Sequence, residues 1–242
     1  ISIFAGEIRM TFDLSHSAWG GIYTLGTGAS ALVMVWAGSL ADRFKVKYLG
    51  TATLFFLAIS CFAMSQISAV WMLPVVIFAL RLSGQGMVGH ITAVAMSRWF
   101  VANRGKAISL AQLGFSVGEA LLPLLIVSLI SVVRWQTIWA YAAVATLLSI
   151  PVLWTLLQDE HSPQSIAKSS QSTGMGNCQW TRSEALKHWL FWTMIPSLLG
   201  LSAFNTAFFF NQVYFAEIKG WPHIHLVGLF PVYTITGVLA ML

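Results

Sequence analysis

Two side chains of formal charge, Arg81 and Glu119, fall deep inside long apolar stretches, and they are where chemistry is to be sought first. A charge placed at the centre of a membrane costs at least about 2.5 to 3.5 kcal/mol on the most lenient scale, so each must face a cavity or a partner. Arg81 offers a permanent, planar, bidentate anchor for a carboxylate or other oxyanion. Glu119 is a different tool. Burial favours the neutral form of a carboxyl and a nearby cation favours the charged form, and a glutamate held between the two can bind and release a proton. At about 1.5 Å per residue, Glu119 lies near the middle of its stretch and Arg81 about 5 Å outward of the middle of its own. The two can therefore sit at one level and touch. Two readings stay open: a substrate anchor and a proton carrier, or a buried ion pair that fixes the register of two helices. Gln85 lies one helical turn from Arg81 and shares its face, whereas His90 is half a turn away and packs against neighbours.

Other spacings suggest chemistry and then lose it in context. Gly84, Gly86 and Gly89 spell the dinucleotide fingerprint G-x-G-x-x-G. That fingerprint needs a preceding strand, a turn at the glycines and an acidic residue about 20 positions on. Gly114, Ser116 and Gly118 spell G-x-S-x-G, but a nucleophile elbow needs a strained strand-to-helix turn and a histidine base, and Ser116 lies in mid-helix. Small residues that let helices approach explain both sets better, and the chain is read as no enzyme. His223 and His225 have no third ligand nearby, so they read as an interfacial pair, and no metal or other cofactor is expected. Cys61 falls in an apolar run and Cys178 in a polar one, so no disulfide framework is implied.

The elements that must position these residues are membrane helices. The chain is 57% hydrophobic and 9% charged, with mean hydropathy +0.75, which places it outside soluble globular domains. The net charge of +5 calls for no nucleic acid. Of 13 Lys and Arg, three (Arg9, Arg134 and Lys219) fall in loops assigned to the outside and Arg81 falls within a span; the others lie on the inner side. That bias is the positive-inside rule, and it makes the lipid bilayer of a plasma (inner) membrane the expected location.

Spans of about 20 apolar residues follow one another. A second span, Ala18 to Leu40, contains the small residues Gly20, Gly21, Gly26, Gly28, Ala29 and Ser30, which let backbones approach. Its Tyr23, Thr24 and Thr27 either face a cavity or bond within the bundle. The third span, Tyr48 to Ser65, carries almost no polar group and is expected to face lipid. A long fourth span, Trp71 to Trp99, is followed by a fifth, Ala107 to Ser131, and a sixth, Gln136 to Leu157. Gln158 to Glu184 is rich in Ser, Gln and Gly and reads as a flexible inner linker. A seventh span, Leu186 to Phe215, carries Asn205, Asn211 and Gln212 towards its outer end, and an eighth is under way at the last residue. Ile1 to Gly6 reads as the outer tail of a first helix, so both ends look like cuts in a longer protein. The fold class is all-α, a polytopic membrane bundle with about seven spans visible.

At Gly38 to Lys47, GSLADRFKVK, the chain resembles the major facilitator superfamily of transporters, whose signature between the second and third spans runs G-x-L-A-D-R-x-G-R-[RK]. Gly38, Leu40, Ala41, Asp42, Arg43 and Lys47 match. Lys45 stands at the family's second glycine and Val46 at its arginine. GFSVGEALLP is similar to the fifth-span motif, although Glu119 follows Gly118 and Pro123 comes later than the family's proline. Arg81 resembles the arginine of the fourth-span motif R-x-x-Q-G, with Gly84 and Gln85 in reverse order. The layout faintly resembles the monocarboxylate and oxalate/formate branch, whose eighth-span arginine is not visible here.

The resemblance implies twelve spans in two halves. Residues 1–157 would be the first bundle, 158–185 the linker, and 186–242 the start of the second. It implies a secondary transporter moving a small solute, an organic anion or another, by alternating access, with or without protons; a sensing protein with the same cavity and no net flux is the alternative. A substrate or proton pathway would use Arg81, Gln85, Glu119, Tyr23, Thr27 and Asn205. Gly38, Asp42, Arg43, Lys47 and Arg98 would form an inner gate, with Asp42 engaging Arg98, Arg104 or helix N-terminal amides.

Overall fold

The computed structural model describes residues 1–100, 103–158 and 181–241. In chain order the helices are α1 (Ala5–Phe12), α2 (His16–Ala37), α3 (Leu40–Arg43), α4 (Val46–Ser65), α5 (Met72–Leu80), α6 (Gly89–Trp99), α7 (Arg104–Ile130) and α8 (Trp135–Leu156). After them come α9 (Arg182–Lys187), α10 (Trp189–Phe210), α11 (Gln212–Lys219), α12 (His223–Val227) and α13 (Phe230–Met241). Five helical stretches among the described residues are long and apolar enough to cross a membrane, and they coincide with the second to sixth spans expected from sequence. Side chains such as Leu25, Phe55, Leu110 and Leu148 are exposed along them, as lipid-facing residues must be.

The fourth span is one continuous rod in which Arg81–Val88 winds as a π-helix between α5 and α6. Such segments are rare and cluster at functional sites. The sequence favours it locally. Ser83 Oγ donates back to Ala79 O at 2.6 Å, competing with the regular ladder, and Gly84 and Gly86 allow the wider turn to lie against neighbours. A Cβ on Gly84 would meet Leu57 at 3.3 Å and one on Gly86 would meet Met34 at 3.1 Å, so both glycines serve helix packing.

Packing departs from the sequence reading in several places. The third span turns only one side to lipid, at Phe55, Ile59 and Phe62. It is the most buried of the five, packed lengthwise on α8, because its small residues make a close interface: a Cβ on Gly50 would sit 3.1 Å from Leu153. Of the glycines in α2 only Gly26 makes the close approach expected of its small residues, and Ser30 on the same helix is buried. A Cβ on Gly26 would lie 2.7 Å from Pro74 O, whereas Gly20, Gly21 and Gly28 face open space. Gly89 and Gly114 likewise meet nothing within 4 Å. The seventh span ends at Asn211, where α10 stops and α11 starts in a new direction, with Asn211 donating to Ala207 O at 2.8 Å. Most of the expected linker lies outside the described residues, but its end is ordered. Thr181 and Glu184 form a reciprocal capping box that starts α9, so Arg182 to Ala185 belong to a helix.

Two cores stack along the first six spans. The outer one joins Phe4, Ile8, Trp19, Met64, Leu73 and Ile77, and the inner one joins Ala41, Val46, Met87, Ile91 and Ala95. A third, around Phe230 and Val227, packs α12 and α13 on Leu124 and Val127 of α7, tying the eighth span to the fifth.

Candidate functional site

Arg81 opens the π segment and points its guanidinium at α2. Its Nε donates to Thr27 Oγ1 at 3.3 Å, and its Cζ lies 5.1 Å from the centre of the Tyr23 ring. Tyr23 and Thr27 are one turn apart on α2, so together they clamp the cation from one helix face. Neither contact carries negative charge. Among the described residues, Arg81 makes an ion pair with no carboxylate.

Glu119 is half-buried on α7 and does not meet Arg81; neither side chain belongs to an ion pair among the described residues. The level inferred from sequence does not bring them into contact, because depth along a helix says nothing about direction around it. Gln85 also parts from Arg81. Gln85 instead lines a cavity of about 610 Å³ between the fourth span and α7, with Thr92, Gln112 and Phe115 among its walls. Gly89 and Gly114 lie in the same walls, which explains why those two glycines bring no backbones together. Glu119, one turn beyond Phe115 on α7, is not among the residues of these walls.

Asn205 is elsewhere: its Oδ1 accepts from Tyr233 OH at 2.8 Å, joining α10 to α13. His223 bonds Gln212 Oε1 at 3.3 Å, and Gln212 in turn donates to Ser2 Oγ at 3.3 Å and Phe209 O at 2.9 Å.

At the inner turn, α2 ends at Ala37, α3 occupies Leu40–Arg43, and Phe44 and Lys45 are extended before α4 begins. Lys45 has φ −64° and ψ 142°, an ordinary conformation for any residue, so the lysine in place of a glycine introduces no strain. His90 Nε2 bonds Gly38 O at 2.9 Å, which fastens the start of the turn to α6. A Cβ on Gly38 would come within 3.4 Å of that imidazole. Asp42 and Arg43 are exposed, and Lys47 lies over the Trp154 ring, 4.1 Å from its centre. Trp154 Nε1 also donates to Thr51 at 2.7 Å, so Lys47 and Thr51 fix α4 to α8 at the inner end. The side chains of Arg98 and Arg104 lie outside the described residues.

One cluster was not singled out in the sequence. Arg9 and His16 approach Glu217 at 3.7 and 3.4 Å, and the Tyr23 ring lies tilted against Phe210 at 4.5 Å, so α1 and α2 meet α10 and α11. No spacing rule links residues so far apart in the chain. Outside the spans, the Glu184 carboxyl is held below the usual carboxylate range by the Thr181 backbone N–H and hydroxyl.

A family model described as Major Facilitator Superfamily matches residues 1–242. No curated protein matches the chain significantly. Nor does any solved structure.

Proposed function

The chain belongs to the major facilitator superfamily and is a membrane transporter of that family; on this premise we propose that it carries a small organic anion by alternating access, coupled to protons. The observation that carries the anion reading is Arg81, a cation within the fourth span that is oriented by Thr27 and Tyr23 and ion-paired with no carboxylate among the described residues. A membrane-embedded cation with no internal counter-charge is an anion site by default. The substrate carboxylate supplies the missing charge, and Gln85, one turn inward, offers amide donors on the cavity side. Glu119, half-buried and likewise unpaired, is the proton carrier. Asn205 belongs to the pathway at the outer end of the seventh span. Gly38, Asp42, Arg43, Lys47 and Arg98 form the inner gate, with His90 as its fastening to α6.

The test is uptake of radiolabelled small carboxylates into proteoliposomes containing the intact protein. Losing a charge-assisted hydrogen bond costs about 1.5 to 3 kcal/mol, so Arg81→Gln is expected to raise KM by roughly ten- to a hundredfold. Arg81→Lys, which keeps the charge and loses the planar fork, should fall between. Unchanged carboxylate KM in folded Arg81→Gln protein would sink the anion reading.

A further inference from the structure

On the outer side a second cavity, about 320 Å³, lies between the start of α2 and the junction of α10 with α11. Its walls include Arg9, His16, Trp19, Phe210, Asn211 and Tyr214. The volume suits a small ligand. Donors dominate its chemistry. The Arg9 guanidinium uses Nε for Leu14 O at 3.3 Å and approaches Glu217 only to 3.7 Å, too far for a hydrogen bond. His16 is 3.4 Å from the other oxygen of Glu217, and its ring meets Tyr214 edge-on at 4.8 Å. Apolar and aromatic surface from Trp19, Phe210 and Tyr214 completes the lining.

Glu217 reaches the same two side chains from outside the cavity walls, as a tethered carboxylate held loosely. A free carboxylate can approach the Arg9 fork to ordinary charge-assisted distances, about 2.7 to 2.9 Å, which Glu217 does not reach. Because Arg9 and His16 belong to the first half and Glu217 to α11 of the second, displacing Glu217 removes a bond between the halves. We propose that this cavity is an outer binding site for a small aromatic monocarboxylate, and that the ligand competes with Glu217 for Arg9 and His16 and so releases the outer contact between the halves. The ligand class comes from the outer groups themselves. It agrees with the anion reading of Arg81 but does not require the Arg81 site.

The experiment uses the intact protein in lipid nanodiscs, with spin labels on Met10→Cys and Ile218→Cys and with Cys61 and Cys178 replaced by Ala. Met10 and Ile218 are exposed, one on α1 and the other on α11. Benzoate is the probe and benzamide its neutral control. Benzoate should increase the long-distance population measured by pulsed dipolar spectroscopy, and benzamide should not. Glu217→Gln should populate the long distance without ligand. Arg9→Gln should raise the half-maximal benzoate concentration at least about tenfold, with Arg9→Lys intermediate and serving as the folded control. Arg81→Gln frees the Tyr23 ring and shifts the resting distances, yet it should keep a saturable benzoate response that Arg9→Gln weakens, which separates failure of this inference from failure of the inner anion site. The inference is overturned if benzoate leaves the distances unchanged, if Arg9→Gln responds like the parent, or if Arg81→Gln alone abolishes the response.

Discussion

Gly26 gives the sharpest test of the packing that holds Arg81 in place. A methyl group at this position would sit 2.7 Å from Pro74 O and 2.8 Å from Ile77 Cγ2, distances that real Cβ atoms do not occupy. Neither neighbour can yield easily, since one is backbone and the other is a fully buried β-branched side chain. Gly26→Ala must therefore push α2 away from α5, an overpacking cost of about 1 to 3 kcal/mol. Gly28→Ala is the matched control. Its Cβ meets nothing within 4 Å, so replacing glycine inside a helix should instead gain roughly 0.5 to 1 kcal/mol. The two variants should differ by roughly 2 to 4 kcal/mol, or on the order of 10 °C in melting temperature for a chain of this size. Heating detergent-solubilised protein and following the folded peak by size-exclusion fluorescence reads that gap directly. Because Gly26 adjoins Thr27, displacing α2 should also loosen the Arg81 clamp and raise carboxylate KM in the surviving folded fraction. Equal melting temperatures for the two alanine variants would refute the α2–α5 contact and, with it, the placement of Thr27 beside Arg81.

Three further predictions follow from particular contacts. His90→Ala should remove the bond to Gly38 O and weaken protection of the Gly38 to Phe44 amides in hydrogen exchange by about 1 kcal/mol, with His90→Gln restoring part of it; unaltered exchange would show that the imidazole does not hold the turn. Glu119→Gln, a mimic of the permanently protonated carboxyl, should stop proton-driven accumulation yet spare exchange of labelled substrate, and loss of both in folded protein would make Glu119 structural. The Glu184 carboxyl should titrate below free glutamate and return towards it in Thr181→Ala. Its pKa is depressed in the folded state, so the cap is complete above the ordinary value of about 4.3 and is lost as pH falls through the lower folded value, which a carboxyl-selective NMR titration would follow.

Much of the bundle was legible because charge interrupts hydropathy. Asp42, Arg43, Lys45 and Lys47 mark the end of one apolar run and the start of another, and the structure turns there; Arg134 and Trp135 mark another break, and α8 begins at Trp135. What the runs could not supply was direction around each helix. The third span has few polar groups, which suggested lipid, but in a bundle the buried face is the small one, and Gly50 faces Leu153. The break at Asn211 hides in an apolar run whose only signal is a pair of amide side chains, Asn211 and Gln212. The Thr181–Glu184 box was readable from its spacing and was masked by the polar composition around it. For Arg81, Gln85 and Glu119 the depths were accessible and the azimuths were not, because position along a helix does not fix the direction around it, and a π segment in the fourth span moves residues beyond it off the α-helical phase.

Tyr23 shows how the proposed anion site and the contact of α2 with α10 depend on each other. One ring lies under the Arg81 guanidinium at 5.1 Å and beside Phe210 of α10 at 4.5 Å, and it also neighbours Trp19, a residue of the outer cavity wall, at 6.0 Å. An anion that draws the guanidinium towards itself competes with the cation–π contact, worth roughly 0.5 to 2 kcal/mol, and so frees the tyrosine ring. The ring is then held only by its apolar neighbours, one of which belongs to the other half. Occupancy at Arg81 and closure between Tyr23 and Phe210 therefore draw on the same side chain, and a coupling of this size corresponds to a shift of a few-fold to about thirtyfold between the two arrangements of the halves. By linkage the converse holds: whatever separates α10 from α2 must change the affinity at Arg81 by the same factor. In this arrangement the cation is oriented by an uncharged ring and a hydroxyl, so the site keeps its net positive charge for the ligand while its geometry reports on the contact above it.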